Sequence, residues 1–394
     1  MFFKLKDKCM SNLISKRSNI KPFLAIEMLT KANKLKSQGR DIVHMDVGEP
    51  GLKLPDYLIK YIQSLLGKEN IGYTESIGTP LLRDKISNHY EKWYEHKIEP
   101  TNIAVTSGAS GAFVLALLAL FDVGDEIAIM TPYYPAYVNT LKSLGLKIIF
   151  IEGDANHGFQ PTLDLIKKNK TNLKGLVIAS PANPTGSVLG RGEMILIAKW
   201  CKENNIKIIS DEIYHGIEYE GKSDTILSHN ENAVIINSFS KYFNMTGWRL
   251  GWMVASKEVI NVVEKLSMAL FLCPSNLAQK VAIKVINDYS ILDKNILIYK
   301  KSRNLLIDKL KKVGLDNFSP TDGAFYLYLD VSKITSDSRN LALRLLYEAG
   351  VSCTPGHDFD YISGNKYLRF SYAGDYSEIK KAADRITNWV EKKT

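Results

Sequence analysis

The chain has 394 residues, enough for about two or three domains with a sizeable core, which excludes a peptide or a disulfide-stapled miniprotein. Hydrophobic residues make up 45% and charged residues 24%, as in folded soluble proteins, and the longest apolar run, residues 112–121, is too short to span a bilayer. The net charge is +9, but the basic residues form short clusters typical of solvated helix faces, without aromatic platforms, which disfavours nucleic acid as a partner.

The amino terminus alternates Lys4, Lys6 and Lys8 with single apolar residues, so it lacks the continuous apolar stretch of a secretory signal. The 4 cysteines are scattered, at none of the short spacings of zinc or redox motifs, and the 7 histidines form no ligand cluster. We therefore expect reduced thiols, no metal site, no membrane segment and a cytoplasmic protein.

Short β-branched apolar runs alternate with helical stretches between residues 103 and 209, as in a parallel sheet covered by helices. The predicted strands are 127–130, 147–151, 176–179, 206–209 and 234–237. Apolar residues at three- and four-residue spacing predict helices that include 111–121, 191–203 and 259–270. This order predicts an α/β fold whose large domain is a three-layer sandwich around a mainly parallel sheet.

Beyond residue 290, long amphipathic stretches precede the apolar runs 324–329 and 367–371, and a further helical pattern lies at the carboxyl end. This order predicts a smaller α+β domain. No Pro/Gly/Ser-rich linker separates the parts, so we expect a packed hinge between them. The predicted division is a tail at 1–20, an arm at 21–55 that packs with the small domain, a large domain at 56–290 and a small domain at 291–394.

The strongest chemical signal follows the strand predicted at 234–237. Lys241 is preceded by the hydroxyls of Ser238 and Ser240 and is followed eight positions later by Arg249. A lone lysine after a strand is usually just solvated. Here the combination favours chemistry, because a lysine can form a Schiff base with an aldehyde cofactor while an arginine and serine hydroxyls hold that cofactor's phosphate.

A literal phosphate-loop pattern, G-x-x-x-x-G-K-S, occurs at residues 216–223. Glu218 and Glu220 lie inside it, and their charges would repel a triphosphate. No amphipathic helix follows that could cap a phosphate. We interpret this segment as a surface turn.

Three further motifs follow predicted strands upstream of Lys241. The segment S-P-A-N-P-T-G contains Asn183, and Asp211 and Tyr214 come at the end of the next strand in D-E-I-Y. Residues 108–110, Gly-Ala-Ser, lead from a strand into an apolar helix whose free N–H groups and dipole can receive a phosphate. Each motif alone has a plain structural interpretation as a turn, a helix cap or strand-end packing. Their order along the chain indicates one shared site.

In this order the motifs resemble those of the fold-type I pyridoxal-phosphate enzymes, specifically the class I and II aminotransferases of the aspartate aminotransferase superfamily. The resemblance runs from about residue 20 to the end of the chain. It implies pyridoxal 5′-phosphate as the cofactor, attached to Lys241. It also implies that Asp211 keeps the pyridine nitrogen protonated, so that the ring acts as an electron sink, and that Asn183 and Tyr214 contact the phenolic oxygen.

The resemblance assigns the other cofactor contacts as well. Those expected at the phosphate are Gly108, Ala109, Ser110, Ser238, Ser240 and Arg249. Tyr134 is expected to stack on the ring, with Tyr133 as the alternative. Tyr73, in a G-Y-T-E-S segment, would reach the phosphate of a partner subunit, so the resemblance implies a homodimer with shared active sites.

For the substrate, the resemblance implies that Arg369 binds the α-carboxylate as a bidentate pair, with Asn183 and Gly48 beside it. By itself, an arginine in a strand is more often on a solvated edge. Some aspartate-specific relatives carry a lysine where this chain has Ser110, which counts against aspartate as the donor. Phe359 is followed by Asp360 where relatives commonly have glycine, a departure near the expected entrance.

The implied function is exchange of an amino group between an L-amino acid and a 2-oxo acid by a ping-pong mechanism. Lys241 would be the anchor and base, with Asp211 and Tyr214 as the other catalytic residues. A carbon–sulfur β-lyase is the alternative, because these residues do not distinguish transamination from β-elimination. An inert cofactor-binding protein is a second alternative. The identity of the amino donor and acceptor stays open.

Overall fold

The computed structural model describes residues 14–51, 54–68, 71–169 and 172–393. Residues 1–13 of the predicted tail, including Cys9, lie outside the described residues. The α-helices are α1 (Leu24–Ser37), α2 (Asp56–Lys68), α3 (Pro80–Tyr94), α4 (Gly108–Leu120), α5 (Pro135–Leu144), α6 (Leu163–Lys168), α7 (Arg191–Glu203), α8 (Lys257–Leu270), α9 (Asn276–Val285), α10 (Tyr289–Lys312), α11 (Ser338–Arg344) and α12 (Tyr376–Glu391). The strands are β1 (Val43–His44), β2 (Ile103–Thr106), β3 (Glu126–Thr131), β4 (Lys147–Glu152), β5 (Leu173–Ala179), β6 (Lys207–Asp211), β7 (Val234–Ser238), β8 (Gly251–Val254), β9 (Tyr326–Asp330), β10 (Val351–Ser352), β11 (Thr354–Pro355) and β12 (Tyr367–Ser371).

The central sheet has 7 strands in the order β2-β8-β7-β6-β5-β3-β4. The pairs from β7 through β6, β5 and β3 to β4 are all parallel. Only β8 runs antiparallel to its neighbours β2 and β7. The prediction of a mainly parallel sheet is therefore confirmed.

Each face of this sheet is covered by helices. Because successive side chains of a strand point to opposite faces, Ile208 and Ile209 of β6 belong to two different hydrophobic cores. The first core contains apolar side chains of α3, α6, α7 and α9, and the second contains those of α4, α5 and α8. This burial on both faces explains why the strands read as continuous apolar runs, and it confirms the predicted three-layer sandwich.

Two elements begin three residues earlier than the sequence pattern predicts. Helix α4 begins at Gly108 instead of residue 111, because its first turn is made of small residues that carry no apolar periodicity. Strand β5 begins at Leu173 instead of residue 176. The glycine that interrupts this strand is required by packing, since a Cβ on Gly175 would lie 2.4 Å from Cζ of Phe121.

The carboxyl-terminal part contains a three-stranded antiparallel sheet in the order β11-β12-β9. Strand β1 of the arm pairs in parallel with β10. This pairing joins the amino-terminal arm to the carboxyl-terminal part of the chain. Helix α10 lies against α12, with an ion pair of 2.7 Å between Lys309 and Asp384. The smaller α+β part is confirmed, whereas the division at residues 20, 55 and 290 stays a prediction.

The described part of the chain contains no helix with the length and apolarity to cross a membrane. Nor do its His, Cys, Asp and Glu residues include a group of three or more that could hold a metal ion. After the phosphate-loop pattern, the first helical element is a single 3-10 turn at Ile226–Ser228, so no α-helix opens there.

Candidate active site

The predicted site residues meet where the parallel strands end. Asn183 follows β5, Asp211 is the last residue of β6, and Ser238 is the last residue of β7, three positions before Lys241. Since the carboxyl ends of parallel strands lie at one edge of a sheet, these groups come together at the position where open α/β sheets bind ligands. They line a cavity of about 390 Å³.

Most of the predicted site residues line this cavity. They are Gly48, Ala109, Ser110, Tyr134, Asn183, Asp211, Tyr214, Ser238, Ser240, Lys241, Arg249 and Arg369. Gly108 lies beside the cavity, beneath the guanidinium of Arg249. Tyr73 lies outside it and is 83% exposed. Of the two adjacent tyrosines, Tyr134 lines the cavity, while the backbone N–H of Tyr133 donates to the carbonyl of Phe359 away from it.

The side chain of Lys241 is held with its amine in the cavity. Its Nζ donates a hydrogen bond to the carbonyl oxygen of Gly48, at 2.7 Å. Burial lowers the pKa of Lys241 to about 8, with help from the nearby guanidinium groups of Arg369 and Arg249. The amine therefore has a far larger neutral, nucleophilic fraction at neutral pH than an ordinary lysine.

Gly48 can lie this close to the cavity because it has no side chain. A Cβ at this position would lie 1.7 Å from the hydroxyl oxygen of Tyr326. That hydroxyl is itself 2.7 Å from the hydroxyl of Tyr214. The glycine thus lets the arm approach the two tyrosines and the lysine closely.

Asp211 places a carboxylate in the cavity wall, where its side chain is largely removed from water. The residue is 7% exposed, and burial raises its pKa to about 6. The hydroxyl of Tyr137 donates to one carboxylate oxygen, and the backbone N–H of Ile213 donates to the other at 3.2 Å. Both hydrogen bonds favour the ionised form and oppose the effect of burial.

Arg369 lies in β12, the central strand of the small sheet, and is only 4% exposed. Its guanidinium donates to Oδ1 of Asn183 at 2.9 Å, to the hydroxyl of Thr354 at 3.2 Å and to the carbonyl of Asp46. It also lies 4.6 Å from the ring centre of Tyr326. The arginine is therefore a buried cation fixed in the cavity wall.

The first turn of α4 offers free N–H groups to an anion. Ser107, at the N-cap, makes no side-chain capping hydrogen bond, and the first turn contains no acidic residue. Arg249 covers this turn so closely that a Cβ on Gly108 would lie 2.6 Å from one of its terminal nitrogens. The hydroxyls of Ser238 and Ser240 are 2.9 Å apart on another side of the same cavity. Helix dipole, hydroxyls and guanidinium together suit a phosphate dianion.

Sequence reasoning missed Tyr137 and Tyr326. Tyr137 lies in the first turn of α5, three residues after Tyr134 at the N-cap, and the two ring centres are 5.5 Å apart, so its closeness to Tyr134 in the sequence could have identified it. Tyr326 lies on β9, more than a hundred residues away from the tyrosine that it contacts. Nothing local in the sequence marks it.

Comparison with known proteins identifies the family. The family model described as aminotransferase class I and II matches residues 40–386. The chain belongs to this family. A curated relative, the valine–pyruvate aminotransferase of Mycobacterium tuberculosis, is 38% identical over 97% of this chain and 99% of the relative.

Two further comparisons show how widely this aminotransferase shares its architecture. The (5-formylfuran-3-yl)methyl phosphate transaminase of Methanocaldococcus jannaschii is 34% identical, over 96% of this chain and 100% of the relative. The solved structure of the Thermus thermophilus aspartate aminotransferase with maleate superposes with a TM-score of 0.90 at 29% identity, covering 95% of this chain and 99% of that one.

Class I and II aminotransferases use pyridoxal phosphate, and this is the cofactor of the aminotransferase. The cavity fits the group chemically. It offers an amine with a lowered pKa for the aldehyde, a buried carboxylate for the ring nitrogen and a helix amino terminus with Arg249 for the phosphate. The sequence-based expectation of this cofactor is confirmed.

The lowered pKa of Lys241 gives a testable pH dependence in the aminotransferase freed of its cofactor. Only the neutral amine attacks an aldehyde, so the rate of cofactor attachment should rise with pH and level off above a midpoint of about 8. Stopped-flow absorbance between pH 6.5 and pH 10 measures this midpoint. Because Arg369 contributes to the lowering, Arg369→Gln should move the midpoint to higher pH. A wild-type midpoint near 10 would contradict the description of the site.

Proposed function

We propose that Lys241, Asp211 and Tyr214 are the catalytic residues of this aminotransferase and that Arg369 binds the α-carboxylate of both the amino acid and the 2-oxo acid. The single observation that carries the proposal is that the Lys241 amine, the Asp211 carboxylate and the Arg369 guanidinium line one cavity. The family supplies the reaction, in which an amino group moves between an amino acid and an oxo acid.

The cofactor would be held by contacts to its ring nitrogen, its phenolic oxygen, its ring face and its phosphate. Asp211 would pair with its ring nitrogen, and Asn183 and Tyr214 would contact its phenolic oxygen. Tyr134 would lie against the ring. The phosphate would be held by Gly108, Ala109, Ser110, Ser238, Ser240 and Arg249. When bound, the cofactor withdraws electrons from the substrate α-carbon and carries the amino group between the two substrates.

Side chains of this protein would orient the substrate and move its proton. The guanidinium of Arg369, steadied by Asn183 and by the carbonyl of Asp46, would hold the α-carboxylate by a bidentate pair. That contact would orient the α-hydrogen toward Lys241. The neutral amine of Lys241, with its lowered pKa, would remove this proton as a general base and return it on the way to product.

We further propose a dimer in which Tyr73 reaches the neighbouring site. Tyr73 is highly exposed, although tyrosines are usually at least partly buried. The segment that contains Tyr73 is hydrogen-bonded to the start of α9, because the side chain of Asn276 donates to the carbonyl oxygen of Gly72 at 3.0 Å. The last turn of α8 and the two residues after it expose four large apolar side chains: Met268, Leu270, Phe271 and Leu272. An exposed apolar patch of this kind favours a protein partner.

We also propose that the protein resides in a reducing compartment such as the cytoplasm. Cys201, Cys273 and Cys353 are free thiols, and the first and last of these are buried. Burial raises the pKa of Cys201 to about 12, so this thiol is unreactive.

The role of Lys241 is tested by replacing it. Borohydride reduction of the loaded enzyme should label the peptide that contains Lys241, and Lys241→Ala should lose the label and at least about 10³-fold in turnover. Lys199→Ala, a change at an exposed lysine of α7, is the matched control and should keep both. Label on another residue, or full activity of Lys241→Ala, would contradict the proposal. Pyruvate and ammonia formed without an oxo acid would favour the β-lyase instead.

The proposed dimer is tested by placing charge on the apolar patch. The double variant Met268→Glu/Leu270→Glu should sediment as a monomer and lose most of its activity, because burying two unpaired carboxylates opposes association. The matched control, Ile195→Glu/Leu196→Glu on the exposed face of α7, should stay dimeric and active. A fully active wild-type monomer in analytical ultracentrifugation would contradict this part of the proposal.

A further inference from the structure

One wall of the cavity comes from the arm and is apolar. Phe23, Ala25 and Ile26, at the start of α1, line the cavity together with Val47. Ile26 is 51% exposed, so a large part of its side chain is left uncovered by the described residues of this chain. The ring of Phe23 lies edge-on to Tyr134, with 6.2 Å between the ring centres. The exposed apolar surface of the arm therefore lies next to Tyr134, whose ring is expected to stack on the cofactor.

This wall is anchored to the loop that also packs on Arg369. The carboxylate of Asp358 accepts hydrogen bonds from the backbone N–H groups of Leu24, at 2.9 Å, and Ala25, at 3.1 Å. The next residue, Phe359, has its ring centre 4.7 Å from the guanidinium of Arg369. The position of the apolar wall is thus fixed relative to the proposed carboxylate clamp. A substrate held by its α-carboxylate would meet this wall at a defined place.

The described residues that line the cavity supply no fourth cation for a second carboxylate of the substrate. Among the described residues that line it, the cations are Lys241, Arg249 and Arg369. Each has a place in the proposed function, at the aldehyde, the phosphate and the α-carboxylate. The remaining acid, Glu49, lies at the exposed rim, where it accepts a hydrogen bond of 2.7 Å from the hydroxyl of Thr246. An acidic substrate side chain would meet apolar groups and a like charge, an unfavourable setting for a carboxylate.

We propose that the arm wall selects amino donors with apolar side chains, together with the corresponding 2-oxo acids, and rejects aspartate and glutamate. The inference rests on the proposed function, because it takes Arg369 as the site of the α-carboxylate. Phe23, Ile26 and Val47 are the specificity-determining residues. An apolar donor would gain contact with the wall, whereas an acidic donor would bring an unpaired carboxylate against it. Together these two effects correspond to a preference for apolar donors of about 100-fold or more in kcat/KM.

The experiment compares donors in the first half-reaction, with loaded enzyme and no oxo acid present. Conversion of the bound cofactor to its amine form is followed by absorbance with valine, leucine, isoleucine, phenylalanine, aspartate and glutamate. The apolar donors should exceed aspartate and glutamate about 100-fold in kcat/KM. The variant Ile26→Lys places a cation on the wall and should narrow this ratio at least about 10-fold. Ile26→Leu should keep the wild-type ratio, and so should Ile195→Lys, the same charge change at an exposed isoleucine of α7.

Aspartate or glutamate reacting as fast as the apolar donors would overturn the inference and leave the proposed function intact, because the enzyme would still have taken the amino group from an amino acid. An Ile26→Lys variant that slows every donor equally would also overturn it, because the wall would not discriminate. A protein that converts no amino acid at all would overturn the proposed function and this inference with it.

Discussion

The burial of one carboxylate is the constraint on which the rest of the site depends. Asp211 ends a central strand between two hydrophobic cores, so its charge is removed from water and its pKa rises to about 6. Tyr137 and the N–H of Ile213 supply neutral hydrogen bonds, and the charge of Lys241 offsets the effect of burial on the pKa only in part. A buried carboxylate is most stable beside a positive charge. In the proposed arrangement the protonated ring nitrogen of pyridoxal phosphate would provide one, and the cavity would then favour the form of the cofactor that best withdraws electrons.

The residues that line the cavity come from different parts of the chain. The central sheet carries the lysine, the carboxylate and the helix amino terminus, which suit the cofactor. The arm and the small sheet carry Gly48 and Arg369, which suit the substrate. Buried Arg369 is costly alone, and a carbonyl, a hydroxyl, an amide oxygen and two aromatic rings offset that cost. The Arg369 guanidinium is therefore already fixed in place, and as the proposed carboxylate clamp it would need little ordering on substrate binding.

The sequence predicts well what is local. The motif containing Lys241 and the position of Asp211 follow apolar strands, so their meeting at one sheet edge could be anticipated from strand order. The first turn of α4 escaped the pattern, because Gly108, Ala109 and Ser110 have no apolar periodicity. The burial of Arg369 and its contacts with Asn183 and Asp46 could not be read from its strand, where a solvated edge was the ordinary expectation. Tyr326 and the arm wall with Ile26 depend on tertiary packing over long sequence separations.

The most direct test of the central claim is the ¹⁵N chemical shift of the ring nitrogen in labelled pyridoxal phosphate bound to this enzyme at pH 7.5. If the buried carboxylate of Asp211 sets the charge of the ring, the nitrogen is protonated in the wild type and unprotonated in Asp211→Asn. The same unprotonated shift in both proteins would contradict the account, because the carboxylate would then have no influence on the ring.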